Sequence, residues 1–302
     1  MKNIIFRLSV MIALVCNCSL SFAQNGIVVF QTDFGLKDGA VSAMKGVAMT
    51  VDKKLQLFDV THEIPAYNIW EAALRLEQAA AYWPKGTVFV SVVDPGVGSE
   101  RKSVVLQTQN DYFFVSPDNG SLTLIAEKMG IKEIREIDEK INRLPGSAQS
   151  YTFHGRDVFA YTAARLAAGK ITFKQVGRLL SPEIIRIDYQ KPVLEHGVVK
   201  GTITILDIQY GNVWSNIDQK LLMRTGFKIG DSLLVKIYKK DSLIYSGDLL
   251  FANTFSAVPE LQPLCYLNSL FNFSVAVNMG NFAATYKIGS GPGWKMEVRK
   301  ER

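Results

Sequence analysis

The sequence predicts an α/β protein in which an N-terminal domain of alternating strands and helices precedes a β-rich C-terminal domain. Strand and helix patterns alternate as far as about residue 186, and β-branched residues and glycine dominate the rest of the chain. The chain has 302 residues, which is longer than one typical core requires. We therefore expect two domains, at residues 24–188 and 189–302.

Apolar runs and helical spacing define the elements of the N-terminal domain. The clearest helix covers residues 68–83, which are rich in Ala, Leu and Glu and have an amphipathic period. Short apolar runs predict strands at residues 27–30, 55–60, 87–93, 103–106 and 112–115. Further helices are expected at residues 38–50, 122–129 and 157–168. This order predicts a sheet flanked by helices.

The C-terminal domain follows a linker-like segment at residues 188–192. Stretches typical of strands occur at residues 197–205, 232–238 and 273–277, and the sequence has no long helical pattern in this part. These features predict a small antiparallel β-barrel or a β-sandwich.

The first 23 residues have the pattern of a secretory signal peptide. Lys2 and Arg7 precede the apolar stretch at residues 8–15, and the small residues Ser21 and Ala23 precede the expected cleavage site. A membrane anchor is the alternative, but polar residues interrupt the apolar run before it reaches the ~20 residues that a spanning helix needs. We expect a periplasmic or secreted protein with no membrane segment after signal removal.

Charge distribution argues against one class of partner, and cysteine content argues against an internal disulfide. The formal net charge is +6, and glutamates interrupt the densest cationic stretch, at residues 295–302. This distribution argues against a nucleic-acid partner. Two of the three cysteines lie in the signal peptide, so Cys265 alone remains and no internal disulfide is expected.

Polar residues follow two of the predicted strands, at the positions where open α/β sheets bind ligands. Asp33 follows the first strand, and its carboxylate could accept hydrogen bonds from both ribose hydroxyls or could cap the next helix. Asp94 ends another strand, and Arg101 lies beyond a Gly-rich loop that can bring the two charges together. A simple surface turn is the alternative for this loop.

His154 lies in the segment Phe153-His-Gly-Arg-Asp157, ahead of a predicted helix. The chain has three histidines, and His154 is either catalytic or a structural residue at the helix entrance. No second histidine lies within helical reach, so the segment lacks the spacing of metal ligands. We therefore expect no metal. A serine hydrolase is disfavoured because the sequence has no Gly-x-Ser-x-Gly segment.

A fourth polar segment, at residues 207–216, lies in the β-rich domain. It contains an Asp, an Asn and the aromatic residues Tyr210 and Trp214 within a few positions of one another. Such a set suits a flat ligand that carries an amine, because aromatic rings stack on a purine and amides bind its edge. The alternative is a β-turn flanked by aromatic residues of the core.

Taken together and in order, seven segments resemble the S-adenosyl-L-methionine (SAM) hydroxide adenosyltransferases. These are the adenosine-forming SAM hydrolases, which are related to fluorinases and chlorinases. The resemblance extends from about Ile27 to Glu297. Its segments are Thr32-Asp-Phe-Gly35, Asp59-Val-Thr-His-Glu-Ile64, Asp94-Pro-Gly-Val-Gly98, Pro117-Asp-Asn-Gly120, Phe153-His-Gly-Arg-Asp157, Gly211-Asn-Val-Trp214 and Asn268-Ser269.

The resemblance implies an N-terminal α/β/α sandwich, a C-terminal antiparallel β-barrel, and a homotrimer that binds SAM between neighbouring subunits. Its hydrolytic residues correspond to Asp94, Arg101 and His154. Its substrate-binding residues correspond to Asp33 for the ribose, Tyr67 and Phe153 for aromatic packing, Asp207 and Ser269 for the methionine ammonium, and Tyr210, Asn212 and Phe255 for adenine, with backbone near Met279. Trp214 matches the family's tryptophan.

Two positions separate this chain from the halogenases of the group. A halogenase would have a tyrosine in place of Asp94 and a serine in place of Gly155, so the sequence argues against halide use. The arginine that follows the Asn-Ser pair in halogenases is Leu270 here, which puts methionine-carboxylate binding by that route in question.

The reaction that the resemblance implies is metal-independent hydrolysis of SAM to adenosine and L-methionine, in which SAM is the substrate and no cofactor takes part. Arg101 would stabilise hydroxide character on the attacking water, Asp94 would fix Arg101, and His154 would take or relay a proton. The alternatives are a SAM-dependent halogenase and an exported protein that binds nucleosides or SAM without turnover.

Overall fold

The computed structural model describes residues 25–300. The expected signal peptide at residues 1–23 therefore lies outside the described residues. The chain divides into two compact units, and the division falls between Ile185 and Arg186. Within residues 25–300, no helix has the length and apolar character needed to cross a membrane.

The first unit is built on one sheet of six strands. They are β1 Ile27–Thr32, β2 Gln56–Thr61, β3 Val88–Val92, β4 Ser103–Thr108, β5 Phe113–Pro117 and β6 Ile131–Glu136. The strand order is β2-β1-β3-β5-β4-β6. The first four strands in that order are mutually parallel, and β4 runs antiparallel to both of its neighbours.

Helices cover both faces of this sheet, which confirms the sandwich. They are α1 Ala40–Val51, α2 Ile69–Ala80, α3 Thr123–Met129 and α4 Tyr161–Ala167, and a π-helical turn, Gly155–Ala160, leads into α4. Alternate residues of β1 face opposite sides, so Val28 and Phe30 pack with α1 and α4, and Val29 packs with α2 and α3. Because β1 is buried on both faces, its sequence is an almost continuous apolar run.

The second unit is a closed barrel with two short helices, α5 Gln219–Met223 and α6 Phe282–Tyr286. Its strands are β7 Val193–Glu195, β8 Val198–Leu206, β9 Val213–Asp218, β10 Ser232–Lys239, β11 Ser242–Phe251, β12 Pro263–Leu267, β13 Asn272–Val277 and β14 Trp294–Lys300. Seven of them, β8 to β14, close through the pairing of β14 with β8, and β7 adds to β8. The barrel prediction is confirmed, with one parallel pair, β11–β12, among antiparallel neighbours.

Candidate active site

The topology of the first unit places two aspartates at one point of the sheet edge. β1 lies between β2 and β3, so the chain leads from β1 to β2 on one side and then crosses back past β1 to reach β3 on the other. Open α/β sheets bind ligands at such a switch point, outside the carboxyl ends of the strands. Asp33 follows β1 directly, and Asp94 follows β3 after a single residue.

A pocket of about 270 Å³ lies at this switch point, and we name it the strand-end pocket. Its lining contains the predicted site residues Asp33, Tyr67, Asp94, Phe153 and His154. The other lining residues are Phe34, Ala66, Val92, Val97, Thr152 and Gly155. The structure therefore brings together five predicted residues from four separate segments of the chain.

Asp33 stabilises the backbone of a second lining residue. Its Oδ2 accepts a hydrogen bond from the N–H of Tyr67 at 2.9 Å. It does not cap α1, because Asp38 accepts the hydrogen bond from Ala40 N–H at the start of that helix. Tyr67 has a φ of 67°, which is rare for a residue with a side chain, and its ring is exposed. Strained backbone of this kind is often found at ligand sites.

The loop after β3 folds back so that Arg101 pairs with Asp94. Arg101 Nε lies 3.0 Å from Asp94 Oδ2, and Arg101 Nη2 lies 2.6 Å from the same oxygen. Gly96 allows this approach, since a Cβ there would lie 3.2 Å from Ser99 Oγ and 3.4 Å from Arg101 Cγ. The side chains of Asp94 and Arg101 are only 5% and 8% exposed. Arg101 Nε also lies 3.1 Å from Asp94 Oδ1, so both carboxylate oxygens accept, and a two-point arginine–carboxylate pair of this kind has a defined geometry.

His154 connects to this pair immediately before the π-helical turn. Its Nδ1 lies 3.0 Å from Arg101 Nη2, and its side chain makes no hydrogen bond that caps the turn. Burial lowers the pKa of His154 below its ordinary value of 6.5; the positive charges of Arg101 and Arg143 add to this effect, and the negative charges of Glu139 and Asp94 oppose it. His154 is therefore neutral at neutral pH.

Gly155 makes room for an aromatic wall of the pocket. A Cβ at this position would lie 3.1 Å from Cε2 of Phe34, which is closer than ordinary van der Waals contact. Phe34 and Phe153 meet edge to face, with ring centroids 5.9 Å apart. The glycine thus permits an aromatic side chain to lie directly against the backbone that carries His154.

Three further polar residues, which connect to Arg101 and His154 through hydrogen bonds, were missed by the sequence analysis. Arg143 Nη2 lies 3.2 Å from His154 Nε2 and 2.5 Å from Glu139 Oε2. Glu139 Oε1 accepts from Ser103 Oγ at 3.3 Å, and Ser103 Oγ accepts from Arg101 Nη1 at 2.8 Å. The spacing of Glu139 and Arg143 is the only signal in the sequence, and charged residues four apart are common on solvated surfaces.

A second buried histidine supports the loop that carries Asp33. His62 Nδ1 lies 2.8 Å from Thr32 Oγ1, and His62 Nε2 lies 2.9 Å from Asp59 Oδ1. Asp59 also accepts from Lys45 Nζ at 2.6 Å. The hydroxyl of Thr32 accepts a hydrogen bond from the N–H of Phe34, and the carbonyl of His62 accepts one from the N–H of Gly35. The segments around Asp33 and His62 thus act as one structural unit.

The segment Pro117-Asp-Asn-Gly120 has a structural role in the first unit. Asn119 donates from Nδ2 to the carbonyl of Val93 at 2.9 Å, directly before Asp94. Asp118 Oδ1 accepts from the N–H of Ile185 at 2.9 Å. Asn119 therefore fixes the end of β3, from which the loop with Asp94 and Arg101 departs.

The barrel unit has a pocket of its own, of about 700 Å³, which we name the barrel pocket. The predicted adenine contacts Tyr210, Asn212, Phe255 and Met279 all line it. Tyr210 and Met279 are exposed, and Met279 has a φ of 55°. An apolar, aromatic pocket with one buried amide, that of Asn212, is suited to a purine ring.

The remaining predicted residues of the barrel unit are not among the lining residues of this pocket. Asp207 Oδ1 accepts from the N–H groups of Gln209 and Tyr210 and so stabilises the turn that carries Tyr210. Ser269 is exposed in the turn between β12 and β13. Trp214 lies in β9, outside the lining residues of the barrel pocket.

Comparison with known proteins identifies the family. Residues 28–177 match the SAM hydroxide adenosyltransferase N-terminal domain, and residues 201–295 match the C-terminal domain of the same family. A relative from Methanocaldococcus jannaschii named (R)-S-adenosyl-L-methionine hydrolase is 38% identical over 221 residues, which are 72% of this chain and 75% of the relative. The chain belongs to the SAM hydroxide adenosyltransferase family. The resemblance drawn from the seven segments is confirmed.

Two further matches cover most of this SAM hydroxide adenosyltransferase family member. A protein from Actinoplanes sp. named fluorinase is 28% identical over 292 residues, 88% of this chain and 96% of the relative. The crystal structure of an uncharacterized conserved protein from Thermotoga maritima covers 90% of this chain and all of its own, with a TM-score of 0.79 and 34% identity.

Proposed function

We propose that this protein hydrolyses SAM to adenosine and L-methionine by attack of water at the ribose 5′ carbon. The observation that carries the proposal is the buried cluster of Asp94, Arg101 and His154 at the strand-end pocket. The relative that is named a SAM hydrolase supports the same reaction. Asp33 at the same pocket is available to accept hydrogen bonds from the ribose hydroxyls.

The reaction needs an aligned water and a site for one proton. The water oxygen forms a bond to the 5′ carbon while the carbon–sulfur bond breaks, and its electron pair leaves with methionine as a neutral thioether. Asp94 and His154 line the pocket, and the guanidinium of Arg101 bridges them. The positive charge of Arg101 favours hydroxide character on a water held between Asp94 and His154. Neutral His154 is able to take the proton from this water.

The nature of the leaving group supports the proposal that the reaction requires no metal. The sulfonium becomes neutral as it leaves, so no negative charge develops on the leaving atom. Among the described residues, no group of three or more His, Cys, Asp or Glu side chains is arranged to hold a metal ion. We propose that alignment of water and substrate supplies most of the rate enhancement. In well-oriented reactions, alignment lowers the activation barrier by about 7 kcal/mol or more.

The deciding experiment follows the product of SAM turnover in ¹⁸O-labelled water with chloride and fluoride present. We expect adenosine with the heavy oxygen at its 5′ position, and activity that survives exhaustive chelation. A 5′-halogenated adenosine as the main product would instead identify a halogenase, like the relatives named fluorinase. SAM binding without any product would identify a binding protein. Activity lost on chelation and restored by a metal would reject the metal-free mechanism.

Two further parts of the proposal concern assembly and location. We propose a homotrimer in which the strand-end pocket of one subunit and the barrel pocket of the next bind one SAM molecule. Mixed trimers of His154→Ala and Asn212→Ala subunits should then regain activity, whereas no gain would place the site within one chain. We also propose export by the signal peptide, and a mature N-terminus that begins at Gln24 would support it.

A further inference from the structure

The two ring nitrogens of His154 both face arginines. Arg101 Nη2 lies 3.0 Å from Nδ1, and Arg143 Nη2 lies 3.2 Å from Nε2. An arginine only donates hydrogen bonds, and a neutral imidazole has one lone pair to accept them. Only one of the two arginines can therefore donate to the ring at a time, and the two compete for the same lone pair.

The side of the ring that faces Arg143 is as well organised as the side that faces Arg101. Arg143 is 12% exposed, and it donates to Glu139 Oε2 and to the carbonyl of Ser150. Glu139 also accepts from Ser103, which in turn accepts from Arg101. Arg101, Ser103, Glu139, Arg143 and His154 thus form a closed ring of hydrogen-bonding side chains.

We propose that Arg143, oriented by Glu139, is a positioning residue that competes with Arg101 for the single lone pair of His154 and so sets which ring nitrogen carries the hydrogen. This inference rests on the proposed function for its catalytic meaning, because a neutral His154 is the form that takes a proton from water. Arg143 acts through His154 and is not itself a lining residue of the strand-end pocket.

The charges around His154 predict opposite effects for the two members of the Arg143–Glu139 pair. The groups that face the ring are Arg101 and Arg143, which lower the pKa of His154, and Asp94 and Glu139, which raise it. Removal of Arg143 should raise the pKa of His154, and removal of the charge of Glu139 should lower it. A role in folding alone would not produce shifts of opposite sign.

The direct test is ¹⁵N NMR of the histidine side chains in the full chain without SAM. The chain has three histidines, so a His154→Gln variant assigns the signals of His154. In the parent we expect a neutral ring that exchanges between the two tautomers. In Arg143→Met we expect the tautomer with hydrogen on Nε2, in which Nδ1 accepts a hydrogen bond from Arg101. We also expect His154 to titrate at higher pH in this variant than in the parent. Unchanged nitrogen shifts and unchanged titration would overturn the proposal, whether or not the protein hydrolyses SAM.

Kinetics provide the second test, through the acid limb of the profile of kcat against pH. We expect this limb at higher pH in Arg143→Met, at lower pH in Glu139→Gln, and near the parental position in Arg143→Lys, which keeps a cationic donor. At neutral pH, kcat of Arg143→Met should fall by roughly tenfold, less than the 10²–10⁴-fold contribution of a positioned acid or base.

The matched control is Arg178→Met, which removes an exposed arginine that pairs with Glu136 in the same unit. Its acid limb should match that of the parent. If Arg143→Met behaves like this control, or if both variants of the pair shift the limb in the same direction, Arg143 does not position His154. If no variant or parent produces adenosine while the NMR result holds, the proposed function fails and the arrangement around His154 stands.

Discussion

The two buried histidines of the first unit differ in what their neighbours can donate and accept. His62 is 3% exposed and lies between the hydroxyl of Thr32 and the carboxylate of Asp59. A carboxylate only accepts, so Nε2 of His62 donates to Asp59, while Nδ1 lies against a hydroxyl that can either donate or accept. His154 is 7% exposed and lies between two arginines. The chemistry of the neighbours, and not the burial, separates a fixed imidazole from one whose lone pair is contested.

The largest difference is expected when each histidine loses its nearby aspartate. Asp94→Ala leaves Arg101 buried without its carboxylate, and we expect the free energy of unfolding to fall by about 3–5 kcal/mol. Asp59→Ala breaks the pairs with Lys45 and His62, in which Asp59 is 35% exposed. We expect the free energy of unfolding to fall by about 1 kcal/mol. Urea unfolding of both variants measures the two losses. Equal losses would mean that the cluster at His154 is as well solvated as the one at His62.

Replacement of the histidines themselves should separate turnover from structure. His154→Ala should bind SAM about as well as the parent and turn over at least ~10²-fold more slowly, because it removes a group used in the transition state. His62→Ala should keep kcat and lose about 1–3 kcal/mol of folding free energy, because Thr32 and Asp59 lose their buried partner. Calorimetric titration with SAM, adenosine release and urea unfolding measure these effects. Full turnover in His154→Ala would make His154 structural, and the roles of Asp94 and Arg101 would need reassignment.

The smallest effect is a dependence of stability on pH in two separate windows. The pKa of His154 is lowered from 6.5, so folding disfavours its protonated form, and stability is full above about pH 6.5 and falls as the pH drops below it. For Asp59, burial acts to raise the pKa, but hydrogen bonds from Lys45 and His62 outweigh burial and lower it. The stability that Asp59 contributes is therefore present above 3.8 and lost as the pH falls below that value. Thermal unfolding should show that the loss of stability below about pH 6.5 is smaller in His154→Gln than in the parent. The loss of stability below 3.8 should likewise be smaller in Asp59→Asn. If His154→Gln leaves the upper window intact, another group titrates there.

The sequence predicted what depends on local patterns, and missed what depends on packing between distant segments. Apolar runs located β1 and β3, and the polar residues at their ends led to Asp33 and Asp94. The sequence contained no period that distinguishes a barrel from a sandwich, because closure depends on pairing between β8 and β14. Arg143 and Glu139 were missed for a similar reason. Arg143 contacts His154, and Glu139 contacts Arg143, only after the segment that follows β6 folds against the π-helical turn.

The closure of the barrel by β14 has a consequence for synthesis of the chain on the ribosome. All six strands of the first unit are made before residue 137, so its sheet can pair while translation continues. The barrel remains an open sheet, with the edges of β10 and β8 unpaired, until Trp294–Lys300 has been made. Unpaired edges bind other strands readily. A nascent chain that stops before residue 294 would therefore combine a folded first unit with a second unit prone to aggregation, and the last strand would determine the yield of intact protein.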